Sequence, residues 1–479
     1  MLKLNNFKHT YPLVIAILLA SGGCKVPAIN QATENRTTPV AYDSVSDSLN
    51  SNTIQWRTFF SDKYLADLVD TALKNNQELN ITLQEIEISR NEIRFRQAPL
   101  SPTVTGRLGA GVEKVGKYTS QGAGDASAEI TPGKVVPEAL GDFTAAVYAN
   151  WELDIWKKLR NAKKAAITRY LSTVAGRNFV ITNLVAEVAS SYYELLALDN
   201  QLEIVKQNIA LQNNALGLVK VQKEAARVTE LAVQKFQAEV LKSQSMEYDI
   251  RQQIKETEKR INFLLARFPQ PIIRPTSGFL EMQPAEVHTG IPSQLLANRP
   301  DIRQAELDLE AAKLDVKVAR AEFYPSVGIS AAIGLQAFKP SYLLKFPESL
   351  LYSVAGDLAA PLINRTAIKA EFKNANARQL QAMYNYERNI LNAFLEVSTE
   401  LSRIENLGKQ YDLMSKQVDA LNQSIDISNT LFTSARADYL EVLLTQRDAL
   451  ESKLELVETK KQQMNAVVHM YRDLGGGWK

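Results

Sequence analysis

The sequence predicts an α+β chain built twice over, with four short strands set among long coiled-coil helices. Three observations carry that reading. Proline is absent between Pro137 and Pro269 and again from residue 362 onward, which frees two stretches of more than 100 residues from the strongest helix breaker. Between them the apolar period changes from that of a helix to two. Related segments also recur at fixed offsets: Leu100-Ser101-Pro102-Thr103-Val104 returns as Tyr324-Pro325-Ser326-Val327 at an offset of 223, and Leu231 with Val233 returns as Leu440 with Val442 at 209.

In chain order, Lys3 and Lys8 precede an apolar run from Leu13 to Ala20, and Ser21-Gly22-Gly23-Cys24 supplies small residues, as in a secretory signal. The run is too short to span a bilayer. Residues 1–23 are therefore expected to be a removed signal and 24–60 a linker, followed by a first repeat over 61–275 and a second over 276–479.

Strands are expected at 102–112 and 142–154, then at 326–335 and 350–361. In the first, Val104, Leu108 and Val112 alternate with Thr103, Thr105 and Arg107; in the second, Phe143, Val147, Trp151 and Leu153 alternate with Thr144, Tyr148, Asn150 and Glu152. Val327, Ile329, Ile333 and Leu335 continue the pattern in the third, and Leu350, Tyr352, Val354 and Leu358 in the fourth. About ten residues, apolar on one side and small or polar on the other, is the pattern of a transmembrane barrel strand; a soluble half-buried hairpin shares it. No later apolar run is long enough for a spanning helix, so a membrane crossing requires a barrel. Four strands do not close one, because closed barrels need about eight, and an oligomer is then required.

The helical zones carry heptads. Ile390, Val397, Ile404, Tyr411, Val418, Ile425 and Phe432 fall at steps of seven, and Ile181, Leu184, Val188, Tyr192 and Leu195 alternate three and four. Each zone is predicted to be one long helix, a turn near 222–229 or 433–438, and a shorter returning helix beginning near Leu231 or Leu440.

Composition excludes several functions. With 45% hydrophobic residues and 55 Lys+Arg against 53 Asp+Glu, the chain is neither disordered nor a basic nucleic-acid binder. Cys24 is the only cysteine, which removes disulfides, thiolate zinc sites and redox pairs. His9, His288 and His469 are read as isolated histidines without ligand spacing, and no metal or other cofactor is expected. Gly111 to Tyr118 nearly matches a phosphate-binding loop, but Tyr118 replaces the magnesium-holding hydroxyl and no helix pattern follows, so a turn is expected. Glu152 and Asp154 are placed on the polar strand face as solvated carboxylates rather than a catalytic pair. Gly475-Gly476-Gly477 is read as a helix stop and flexible tail. Lys157, Lys158, Arg160, Lys163 and Lys164 form a basic cluster after the second strand, suited to lipid headgroups at a barrel rim.

Leu296-Ala297-Asn298-Arg299-Pro300-Asp301-Ile302, Phe323-Tyr324-Pro325-Ser326, Trp151-Glu152-Leu153-Asp154, Ala437-Asp438-Tyr439-Leu440-Glu441-Val442-Leu443 and the terminal Leu474-Gly475-Gly476-Gly477-Trp478 give the chain its resemblance. Together they resemble the outer-membrane factors of tripartite efflux systems, the TolC/OprM-like lipoproteins also called the NodT group, over nearly the whole mature chain. Asn364-Arg365-Thr366 departs from the Gly-Gly or Gly-Arg often found after the fourth strand, and Ser21 stands where such lipoprotein signals usually have Leu. The resemblance implies a homotrimeric 12-stranded transmembrane β-barrel, four strands per chain, continuous with a periplasmic coiled-coil barrel. It implies acylation of Cys24, outer-membrane lipid around the barrel, a periplasmic adaptor and an inner-membrane RND-type pump as partners, and no chemistry. It also implies a gate at the helical turns, for which Asp438 and Arg436 are the candidates. The other readings are a lipid-anchored periplasmic coiled-coil protein and a conduit for type I secretion.

Overall fold

The computed structural model describes residues 27–29, 33–42, 50–275, 277–361, 365–434 and 436–478, so the signal segment and Cys24 lie outside the described residues. In the first repeat, helices α1 (Trp56–Phe59), α2 (Lys63–Asn75) and α3 (Gln77–Gln97) lead into β1 (Thr103–Glu113). A short helix α4 (Ser120–Asp125) and a ribbon of β2 (Glu129–Thr131) and β3 (Lys134–Val135) fill the connection to β4 (Leu140–Leu153), and α5 (Lys158–Glu224) and α6 (Glu230–Leu264) follow. The second repeat runs α7 (Leu295–Asn298), α8 (Pro300–Ala321), β5 (Ser326–Ala337), β6 (Leu350–Ala359), α9 (Thr366–Thr433) and α10 (Tyr439–Asp473).

The four strands sit within two residues of their expected starts and ends. The fourth stops at Ala359 rather than 361, since Pro361 has no N–H to continue a ladder. The connection after β1 is not a plain polar loop: Thr119 caps α4 by accepting from the Gly122 N–H at 3.1 Å.

The long helices reach 67 and 68 residues, about 100 Å each at 1.5 Å per residue, and both returning helices have 35. With no proline inside them, their ends are set locally. Asp154 accepts from the backbone N–H groups of Leu159 and Arg160, each at 2.9 Å, and so starts α5. At the other end Ala226 takes φ +53°, and the Arg227 N–H closes onto the Gln222 carbonyl at 2.9 Å.

Two compact units emerge, and each draws on both repeats. Among the described residues the first comprises those within Met1–Thr33, Ile88–Tyr170 and Leu307–Met383, the second those within Glu34–Glu87, Leu171–Glu306 and Tyr384–Lys479. Inside the first, Arg90 lies over the Tyr170 ring at 5.8 Å, Arg169 pairs with Asp315, and Phe323 meets Phe372 edge-on at 5.9 Å. These contacts put the helices in the order α3-α5-α8-α9, matching the strand order β1-β4-β5-β6. Inside the second, Leu65, Val69, Tyr192, Leu195, Ile261, Val457 and Val468 form the apolar core. Tyr192 satisfies its buried hydroxyl by donating to Asp62 at 2.7 Å, while Phe59 stacks on Tyr471 at 4.0 Å.

The duplication reaches individual hydrogen bonds. Asn208 donates to Ser243 at 3.3 Å across the first hairpin, and Gln417 donates to Ser452 at 3.1 Å across the second. Both positions are displaced by the same 209 residues that relate Leu231 to Leu440. A polar pair between the two helices of a hairpin helps fix their register, and both hairpins place one at the same level.

Candidate functional site

The strand register makes the sheet two-faced. Leu108, Ala145, Leu335 and Leu350 lie opposite one another across the four strands, as do Val104, Ala149, Ala331 and Val354. On the other face Thr103, Asn150, Ser330 and Ala355 form one row, and Thr105, Tyr148, Ala332 and Ser353 the next. The apolar face is uncovered: Leu108 is 88% exposed and Val354 80%. A soluble half-buried hairpin turns its apolar face inward, whereas this sheet turns it out, as a lipid-facing wall does. Its strands of 10 to 14 residues meet the 9 to 11 needed to cross a bilayer at a tilt. Among the described residues the outer edges of β1 and β6 have no partner strand, so the wall is an open arc.

Aromatic and charged side chains gather at the end where strands meet helices. Trp151 donates to the Leu100 carbonyl at 3.2 Å and Trp156 to the Pro325 carbonyl at 2.7 Å, while Trp156 stacks on Tyr324 at 4.7 Å. Such residues favour the membrane interface, their rings in apolar surroundings and their polar atoms bonded. Asp154 departs from the expectation of a solvated carboxylate. It follows the last residue of β4, caps α5, and accepts from Arg160 Nε at 2.9 Å. Glu152 pairs with Lys158 at 2.5 Å. Two members of the basic cluster are therefore tied into the turn, and among the described residues Lys157, Lys163 and Lys164 make no ion pair.

At the other end of the helices, the turns fall at 225–229 and 434–438. Leu216, Val219, Val233, Phe236, Phe432 and Val442 pack the two hairpin tips into one cluster. Asp438 precedes α10 with φ −79° and ψ 152°, and its carbonyl accepts from the Glu441 N–H at 3.1 Å, but its side chain makes no capping bond. Both Asp438 and Arg436 are exposed, and among the described residues neither makes an ion pair. Lys223 and Glu230 pair across the other turn.

The Asn-Arg-Pro-Asp segment is structural. Arg299 is buried and binds Asp301 through Nε and Nη2 at 3.0 and 2.8 Å, Glu396 at 2.7 Å and the Asp473 carbonyl at 3.0 Å. It joins the start of α8 to α9 and to the end of α10. The terminal glycines do stop α10, through Gly476 N–H donating to the Tyr471 carbonyl at 2.9 Å, but they are no flexible tail. Gly475 is buried at φ +85°, and a Cβ there would lie 2.5 Å from the Asn298 carbonyl oxygen. The glycine run is the surface on which the Arg299 segment rests. The spacing of glycines in the sequence marks a stop and does not reveal that fit.

The remaining candidates resolve similarly. Gly111, Val112 and Glu113 continue β1 against β4, and the helix after them, which sequence periodicity missed, has only six residues. His469 is not isolated, since its Nδ1 lies 3.8 Å from Glu400, and at His288 it is the backbone N–H that donates to the Ser51 hydroxyl at 2.8 Å. Among the described residues no group of three His, Cys, Asp or Glu residues is placed to hold a metal, and no helix is long and apolar enough to cross a membrane.

The model of the outer membrane efflux protein family matches residues 68–267 and again 291–476. The pyoverdine export outer membrane protein OpmQ of Pseudomonas aeruginosa is 28% identical over 426 residues, covering 89% of this chain and 88% of that protein. The cation efflux system protein CusC of Escherichia coli is 26% identical and covers 88% of each. A crystal structure of CusC superposes with a TM-score of 0.81 at 23% identity over 94% of this chain and 99% of that one. The open-state outer-membrane channel MtrE of Neisseria gonorrhoeae gives 0.82 at 21%, over 95% and 99%. The family model thus matches the chain twice.

Proposed function

The chain belongs to the outer membrane efflux protein family, and we propose that it is the outer-membrane channel of a tripartite efflux system, passing drugs, metals or other small molecules passively from an inner-membrane RND-type pump and a periplasmic adaptor to the outside. The observation that carries this is the open four-stranded arc with an uncovered apolar face and two unpaired edges. Three copies, each joining the β1 edge of one to the β6 edge of the next, give twelve strands, a closed barrel without edges, and a polar interior lined by the Thr103 and Thr105 rows. A lipid-anchored coiled-coil protein outside the membrane leaves that face without a partner.

Acylation of Cys24 fits the same arrangement. Ile29 packs on Val316, Ala319, Phe323 and Phe372, beside the start of β5. The five residues from Cys24 to Ile29 reach at most about 18 Å, so acyl chains on Cys24 enter the leaflet at the helix-side end of the barrel. That leaflet faces the periplasm, and the helices leave into it. Lys157, Lys163 and Lys164 lie at the same end and suit lipid phosphates.

The gate belongs at the hairpin tips, where Asp438 and Arg436 are exposed and, among the described residues, committed to no ion pair. Such side chains are free to form a charged ring around the threefold axis. The test is conductance of the reconstituted protein with and without Asp438→Ala: raised conductance and weakened cation selectivity support the ring, and an unchanged channel removes Asp438 from the gate. For the function itself, deletion of the gene should raise intracellular accumulation of pump substrates, with restoration by the wild-type protein and not by one lacking β1 to β4.

A further inference from the structure

We infer that each copy carries a binding site for flat aromatic cations on the lumen side of the junction between strands and helices, with the Trp156 ring as its face and Glu322 and Asp357 as its counter-charge. The inference rests on the channel reading, since it puts the site in the path of the cargo and names the class of cargo that rests there.

It starts from a cavity of about 280 Å³ at the helix-side end of the sheet, wholly within the first unit. Glu152, Ser326 and Ala359 line it. By register all three belong to the polar face, with Glu152 opposite Gly328 and Ser326 opposite Ala359. In a closed barrel that face turns to the lumen. The volume is near the lower end of the roughly 300 to 1,000 Å³ of small-molecule sites, which suits a ligand of a few fused rings.

A fixed aromatic ring stands in the wall of this cavity. Trp156 lies beyond the last residue of β4, so it no longer follows the alternation that puts Trp151 on the apolar face. One face of its ring is covered by Tyr324, stacked at 4.7 Å and 19°, and its one polar side-chain atom is taken by the Pro325 carbonyl at 2.7 Å. The ring is held, yet the residue is 45% exposed. What an anchored indole still offers a ligand is π surface, and among side chains indole is the best partner for a cation.

The charge around the ring has the matching sign. Among the described residues Lys158 is the only cation lining the cavity, and it is paired with Glu152, while Asp154 is paired with Arg160. Glu322 also lines the cavity, is exposed, and among the described residues makes no ion pair. Asp357, on the next row of the polar face, is likewise exposed and makes none among them. Gly328 stands between Glu152 and Asp357, and a Cβ there would lie 2.7 Å from the Asp357 carboxylate, so that carboxylate lies over the glycine, on the Glu152 side of its own strand. Two uncompensated carboxylates beside a π face favour a cation over a neutral or anionic cargo. A wall site built on one ring and two solvated charges holds its ligand weakly. Passage requires that, since cargo must bind well enough to enter and loosely enough to leave.

The experiment is binding of proflavine, a flat aromatic cation, to the purified full-length protein in mild detergent, read by fluorescence polarisation, with ion conduction by the same preparation measured in a planar bilayer. Saturable binding of one proflavine per chain is expected, with weaker competition by acridine, the same ring system uncharged at neutral pH. Trp156→Ala should weaken binding about fivefold and Glu322→Gln about threefold. Lys158→Gln, which removes the cation and frees Glu152, should tighten it about threefold, a gain that damage to the fold does not produce. Glu322 is exposed and outside the ion pairs described, so its variant reads the site even if Trp156→Ala fails to fold. If the wild-type protein conducts but takes up no proflavine saturably, or if Glu322→Gln and Lys158→Gln bind it as wild type does, the site is wrong and the channel reading stands. Equal affinity for acridine and proflavine would overturn the preference for cations. A preparation that forms no pore overturns the channel reading and the lumen site with it.

Discussion

Arg299 shows how much of this molecule hangs on single side chains. Its guanidinium is buried and serves Asp301, Glu396 and the Asp473 carbonyl at once. Arg299→Met should destabilise the second unit by about 3 kcal/mol, because it leaves the largely buried Asp301 carboxylate and the Asp473 carbonyl without this donor, and Arg299→Lys should recover little, since one ammonium does not reproduce a two-pronged fork. Thermal unfolding of the purified protein reads both. At Gly475 the obstacle is steric: alanine meets the Asn298 carbonyl at 2.5 Å and a left-handed backbone together, so Gly475→Ala should cost well over 1 kcal/mol in the same assay. Glu258 supplies a pH signature. Burial pushes its carboxyl upward, but hydrogen bonds from Arg274 and Lys255 outweigh that and hold it below the ordinary glutamate range. A carboxyl lowered on folding stabilises above its unfolded pKa of about 4.3 and loses that contribution as the pH falls through the lower folded value. Glu258→Gln should therefore be less stable than wild type by about 2 kcal/mol at pH 7, and the gap should narrow in acid.

At the scale of elements, most boundaries were legible in the residues, and the exceptions have physical causes. Period two from Val104 to Val112 and from Val327 to Leu335 fixed which face of each strand is apolar, since alternation leaves no other choice. The seven-step seam through Ile390, Val397 and Ile404 likewise announced α9. Asp154 was misplaced because alternation was carried one residue past the end of β4, where the carboxylate had become a helix cap. The packed glycine tail was missed for a different reason: its partner, Asn298, lies 177 residues away, and local pattern holds no trace of that approach. The turns show the converse, a local feature that only coordinates reveal. Ala226 sits at φ +53° where glycine has no steric penalty, so Ala226→Gly should stabilise the first hairpin by about 1 kcal/mol, measurable as slower hydrogen exchange in the last turn of α5. Phe236, fully buried between the tips, should cost about 3 to 5 kcal/mol as alanine and loosen the same region.

For the whole molecule, a chain that is close to half hydrophobic and evenly charged spends its apolar residues in two ways. The helical seams bury theirs against one another. The sheet leaves its own uncovered on one side, and the open arc is what three copies closing a barrel in a membrane require. The direct test is placement of the connection between β1 and β4, where Gln121 lies exposed on α4. Gln121→Cys, compared with the wild-type protein whose one cysteine is Cys24, is treated with a membrane-impermeant maleimide before and after the outer membrane is permeabilised. Labelling of intact cells puts that connection outside and the sheet across the membrane, as the account requires. Labelling only after permeabilisation would put it in the periplasm and contradict the barrel.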